Sequence, residues 1–161
     1  MAPSTNKKVI IRRFDREPLA GYVNPQTYML QGGIEMLDLK GTCVRVSWEE
    51  IKSVDFVRDF DSDDKEPQPR VFTSRPKTAG LWVRMRFRDG EEMEGLLAND
   101  LLQLQPHGFS VTPPNPGSRR QRVFVPRSAL VEMRVLGVIG SAQEARAGRA
   151  RARAEQMRLF E

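Results

Sequence analysis

Cys43 and His107 are the only residues from which this chain could build an activated nucleophile and its base, and each type occurs once. A thiol attacks as the thiolate, so it needs a base or a positive charge beside it. Nothing adjacent to Cys43 or to Pro106-His107-Gly108 supplies that, and the two lie in different halves of the chain. The expectation is a small buried thiol and a loop histidine, without catalysis. Asp59, Asp61 and Asp63 begin like a calcium-binding loop. Such a loop needs a glycine at its sixth position for the sharp turn and a bidentate glutamate at its twelfth. Here those positions are Asp64 and Arg70, so the segment reads as a solvated acidic linker. Neither a metal nor a cofactor is expected.

The arginines offer more. Arg119, Arg120, Arg122 and Arg127 cluster around one loop and strand, Arg84, Arg86 and Arg88 follow one strand, and Arg146, Arg149 and Arg153 share a stripe in the tail. Arg151 and Arg158 lie opposite that stripe. Guanidinium groups grip phosphate bidentately and displace its counterions, which makes binding salt-dependent. Stacking platforms are scarce, since Tyr22, Tyr28, Trp48 and Trp82 are the only Tyr and Trp. Arg12 and Arg16 match the Arg-x₃-Arg of cyclic-dinucleotide-sensing PilZ barrels, but the downstream Asp/Asn-x-Ser-x-x-Gly of that site is absent. Alternation of arginine on a solvated strand explains the spacing. At the end, Gln156-Met157-Arg158-Leu159-Phe160 resembles the bacterial sliding-clamp-binding pentapeptide. The resemblance implies a glutamine bonded at a pocket rim, with Leu159 and Phe160 filling the pocket.

The elements that must position these residues read as strands. Val44, Val46 and Trp48 alternate with Arg45 and Ser47, and Val54 and Phe56 with Ser53 and Asp55. That is the period of a half-buried strand. Val83, Met85 and Phe87 alternate with arginines before Asp89-Gly90, a hairpin turn signal. Phe109 and Val111, then Val123 and Val125, then Val131, Met133 and Val135 mark three more strands. Gly32-Gly33, Lys40-Gly41 and Pro126-Arg127-Ser128 are turns. Residues 141–161 favour helix through Ala, Arg, Glu and Gln, with Gly148 expected to interrupt it. No coherent apolar face suits that tail to a membrane surface.

The two halves repeat one another. Phe14 and Leu19-Ala20-Gly21 match Phe87 and Met93-Glu94-Gly95. Val44, Val46, Ile51, Val54 and Phe56 keep the spacings of Val123, Val125, Leu130, Met133 and Val135. This predicts a first small β-barrel over 8–60, an acidic Pro-containing linker over 61–80, a second barrel over 81–140 and a helical tail over 141–161. The order of strands and turns resembles Sm-like and SH3-like five-stranded barrels. Phe56-Val57-Arg58-Asp59-Phe60 and Phe109-Ser110-Val111-Thr112-Pro113 also resemble a bacterial family of uncharacterised domains, in which FVRDF closes one barrel and F-x-V-x-P precedes a polar loop of a second. The resemblance covers residues 8–139 and implies a fold, not an activity. Asn24-Pro25-Gln26 and Asn99-Asp100-Leu101 stand where RNA-binding Sm proteins carry Asp-x-aromatic-Asn, so the Sm mode of RNA binding is not implied.

Composition sets the remaining bounds. Hydrophobic content of 39% with 29% charge fits a folded soluble chain. No apolar run is long enough to span a membrane, and Arg12 cuts short the cluster at Val9-Ile10-Ile11, so neither membrane nor export is expected. A single cysteine excludes an internal disulfide and suits a reducing cytoplasm. The net charge of +5 comes from 26 basic and 21 acidic residues, a mild lean toward polyanions. The expectation is a non-enzymatic binding or adapter module that contacts nucleic acid or protein. The alternative is a scaffold that oligomerises through the barrels or the tail. A binder predicts an uncompensated basic face, and a scaffold predicts an apolar barrel edge.

Overall fold

Period-two alternation becomes strand wherever it occurs. In the computed structural model, which describes residues 6–60, 70–114, 120–140 and 142–159, Val9 and Ile11 of β1 (Lys7–Arg13) are both fully buried. β2 (Leu19–Val23), β3 (Gly33–Asp38), β4 (Cys43–Ser47) and β5 (Ile51–Val57) complete the first run. β6 (Gly80–Phe87), β7 (Glu92–Leu97), β8 (Gly108–Thr112), β9 (Arg120–Pro126) and β10 (Leu130–Ile139) form the second. α1 (Ala142–Arg158) follows. The protein is mainly β. Gly148 does not interrupt α1, because one interior glycine costs only about 1 kcal/mol.

The strands lie in the order β10-β6-β7-β8-β9-β5-β1-β2-β3-β4. Each run therefore places its last strand beside its first. The registers also coincide. Val9 faces Gly21 and Ile11 faces Val54 in the first run; Val83 faces Gly95 and Met85 faces Met133 in the second. Gly33 and Gly108 occupy matching positions. A β-carbon there would sit 2.0 Å from the Val46 carbonyl oxygen and 2.2 Å from that of Val125, respectively. Only glycine lets those backbones approach.

The two runs lie in one ten-stranded sheet, because β5 pairs antiparallel with β9 across them. Alternation along β9 explains the join. Val123 and Val125 point into one core, with Val83, Met85, Phe87 and Val111. Phe124, on the other face, enters the core of Val9, Ile11, Ile34, Ile51 and Val54. A strand with apolar residues on both faces serves two cores, so it lies inside a sheet. The interval expected as linker holds irregular chain from Arg70 to Ala79, and residues 61–69, including Asp61, Asp63 and Asp64, lie outside the described residues.

The FVRDF segment ends β5 and folds back. Asp59 meets Lys8 at 3.7 Å, and the Phe60 ring sits edge-on to Tyr22, with centroids 5.5 Å apart.

Candidate nucleic-acid interface

The sheet neutralises most of its own arginines. Arg84 and Arg86 of β6 point away from the core, as alternation requires. Glu94 lies directly across from Arg84 on β7, and their charged groups are 3.5 Å apart. Glu94 is only 3% exposed, and the Trp82 indole donates to it at 2.8 Å. Arg86 reaches Glu132 of β10 at 3.2 Å. Arg88 lies over the Phe14 ring, 4.1 Å from its centroid, and donates to the Glu49 carbonyl. Acidic partners opposite the arginines satisfy them, which leaves less charge for a phosphate.

The second cluster is more open. Arg122 on β9 faces Phe56 of β5, is exposed and makes no ion pair among the described residues. It borders a cavity of about 290 Å³ together with Asp100, Gln103, Gln105 and Phe109. Gln105 Oε1 is buried and has no hydrogen-bond partner among the described residues. Arg127 is exposed and stacks over Phe109, 5.0 Å from the ring centroid. Arg119 and the side chain of Arg120 lie outside the described residues, although the Arg120 backbone opens β9.

α1 differs from both clusters. Arg146, Arg149 and Arg153 are exposed, as are Arg151 and Arg158. Gln156 and Met157 occupy its last turn, and Leu159 follows it. Met157 is 72% and Leu159 81% exposed, while Phe160 lies outside the described residues. The structure thus brings Arg84 and Arg86 to one strand face and Arg122 and Arg127 to the β8–β9 region. It leaves the tail stripe on its own helix.

Other motifs acquire structural roles. Arg12 donates to Asp55 at 2.7 Å, and Arg16 meets Glu50 at 3.6 Å. Cys43 is exposed, not buried as expected, because it shares the outward face of β4 with Arg45 and Ser47, opposite the buried Val46. Its thiol donates to Glu35 at 3.0 Å, and that hydrogen bond to a carboxylate pushes its pKa up, so the thiolate is disfavoured. His107 stacks on Trp48 with centroids 4.9 Å apart. Among the described residues no group of three His, Cys, Asp or Glu could hold a metal ion. No helix among them is long and apolar enough to cross a membrane.

Two features escaped sequence reasoning. Lys52 of β5 bonds Asp89 at 2.7 Å and also Glu91, tying the first run to the β6–β7 turn. No local pattern marks a contact between residues so far apart. Leu101 and Leu102 are 84% and 95% exposed in a single 3-10 turn capped by Asp100. Two adjacent leucines in a polar loop were the available signal.

A model described as a family of unknown function (DUF6982) matches residues 5–137. The chain belongs to that family. No curated protein matches it, and no solved structure does.

Proposed function

We propose that this chain, as a member of that family, is a non-catalytic adapter that binds nucleic acid through α1. In this reading each run of five strands is one Sm-like unit, and the β5–β9 join makes the pair a rigid mount. One observation carries it: α1 presents Arg146, Arg149, Arg151, Arg153 and Arg158 to solvent, while Arg84 and Arg86 of the sheet are paired with acids. The residues of α1 include only Glu144 and Glu155 as acids, so the helix is net positive. A helix with exposed guanidinium groups on both sides can track phosphates without base contacts. Arg122 and Arg127 would extend that surface from the sheet.

The test is fluorescence anisotropy with labelled single-stranded RNA, single-stranded DNA and duplex DNA across a salt series. The full chain should bind with steep salt dependence. Replacing Arg146, Arg149 and Arg153 together by glutamine should lower the slope of log affinity against log salt by about 2.7 on duplex, roughly 0.9 for each lost phosphate contact. Failure to bind any of the three at low salt would sink the reading.

A further inference from the structure

We propose that two copies of the chain pair through β10, antiparallel about a two-fold axis at Met133, so that the sheet continues from one copy into the other. β10 ends the strand order, with β6 on one side and, among the described residues, no strand on the other. At ten residues it is the longest strand among the described residues, and no described strand pairs with its outer backbone donors and acceptors. Among the described residues Arg75 reaches it, from its side chain to the Val138 carbonyl at 3.3 Å, which leaves the stretch from Val131 to Val135 uncovered. Val131 and Val135 are 58% and 54% exposed.

The composition of that stretch chooses the partner. Val131-Glu132-Met133-Arg134-Val135 reads the same from either end, with the sign of charge reversed. Paired antiparallel with itself about Met133, it sets Val131 against Val135, Glu132 against Arg134, and Met133 against its own copy. Met133 and Val135 lie opposite Met85 and Val83 of β6, while Val131 sits at a register shift between Leu130 and Glu132, where alternation is interrupted. Glu132 and Arg134 lie on the other face, opposite Arg86 and Arg84. Opposite charges therefore meet on that face of the contact. The neighbouring registers are penalised. A one-residue slip sets Met133 against Arg134. A two-residue slip sets Arg134 against Arg134, or Glu132 against Glu132, and like charges directly opposite destabilise a strand pair.

The opposite edge does not compete. β4 has five residues, and its exposed side chains are Cys43, Arg45 and Ser47, a short polar edge of the kind that resists pairing. A β10–β10 contact is isologous and closes at two copies.

The experiment is multi-angle light scattering on the full chain over a range of micromolar concentrations, with folding checked by circular dichroism. The wild type should have twice the 18.4 kDa chain mass. Arg134→Glu alone and Glu132→Arg alone should each weaken association by at least about tenfold, because each sets like charges opposite at two symmetric places. Mixing those two variants should restore a dimer containing one of each. Val135→Arg, at a half-exposed edge position, should also give monomer while leaving the fold intact. A monomeric wild type overturns the proposal, as would a dimer unaffected by Arg134→Glu and Val135→Arg, or a mixture that stays monomeric.

Discussion

β5 and β10 hold the same place in their respective runs and meet opposite fates. Each follows a tight turn and pairs antiparallel with the first strand of its run, Ile11 facing Val54 and Met85 facing Met133. β5 has β9 on its outer side, and Ile51, Ser53, Val54, Asp55 and Val57 are all buried. Among the described residues β10 has no outer strand, and Val131, Arg134, Val135 and Val138 are exposed. Val9 faces Phe56 as Val83 faces Val135, yet only the first of these pairs has a covering strand. Burial along a strand is therefore set by what lies beside it, and not by its alternation alone. Chemistry follows burial. Asp55, with no exposure, accepts from Arg12 at 2.7 Å and from the Ser53 hydroxyl at 2.9 Å. Arg134, in the matching position, is exposed and pairs with its neighbour Glu132 at 2.8 Å.

The sharpest way to break this contrast is at Phe124, which fills the first core from the second run. Phe124→Ala should destabilise the protein by about 3–5 kcal/mol, the usual cost of emptying a core aromatic site. Val135→Ala on the bare strand should cost less than about 0.5 kcal/mol under conditions where the chain is monomeric. Urea unfolding followed by tryptophan fluorescence measures both, and similar losses would mean that the β5–β9 join does not hold the halves together. Asp55→Ala comes next. It removes the acceptor that Arg12 and Ser53 share, for an expected loss of about 1–3 kcal/mol, moderated because the Arg12 side chain is 37% exposed and can find water. Truncating Arg134 at the matching position should leave the stability of the monomer almost unchanged.

The smallest expected effect is on pH dependence. Lys52 of β5 sits where β10 carries Val131, and it bonds Asp89 and Glu91. Its hydrogen bond holds the Glu91 carboxyl below the usual 4.5. Partial burial disfavours the Asp89 carboxylate, but hydrogen bonds from Lys52 and the Glu91 amide outweigh this and hold it below 3.8. Groups depressed in the fold contribute stability above their unfolded values and lose it as pH falls through the folded ones. The melting temperature should therefore fall as pH drops below about 4.5, and Lys52→Met should flatten that fall. Both carboxylates are more than a third exposed, so solvent screening keeps the effect below about 1 kcal/mol. A melting curve with the same acid slope in wild type and variant would remove Lys52 from the account.

The strands were legible because their signals are local. Val83-Arg84-Met85-Arg86-Phe87 declares a half-buried strand by its spacing, and Asp89-Gly90 marks the turn after it, where Gly90 adopts φ 91°. Matching registers in the two runs are consistent with the shared spacings of Val44 to Phe56 and Val123 to Val135. The candidate interface was legible only as a list of arginines. Whether a guanidinium is available depends on its neighbours, and Glu94 and Glu132 reach Arg84 and Arg86 only once β6, β7 and β10 are aligned. Arg146, Arg149 and Arg153 could be placed in advance because a helix sets their spacing without help from other elements.

From the sequence alone come the mainly β character, the turns, the helical tail and the membership of residues in one face or another, all consequences of backbone periodicity over a few residues. The tertiary structure alone decided that β5 and β9 join the two runs into one sheet, that Phe124 serves the first core, and that β10 is left bare. Those outcomes depend on pairing Val54 with Phe124 and on which edges remain unpaired. Contacts between residues far apart in the chain carry no local pattern, because they are selected by the free energy of the whole packed sheet.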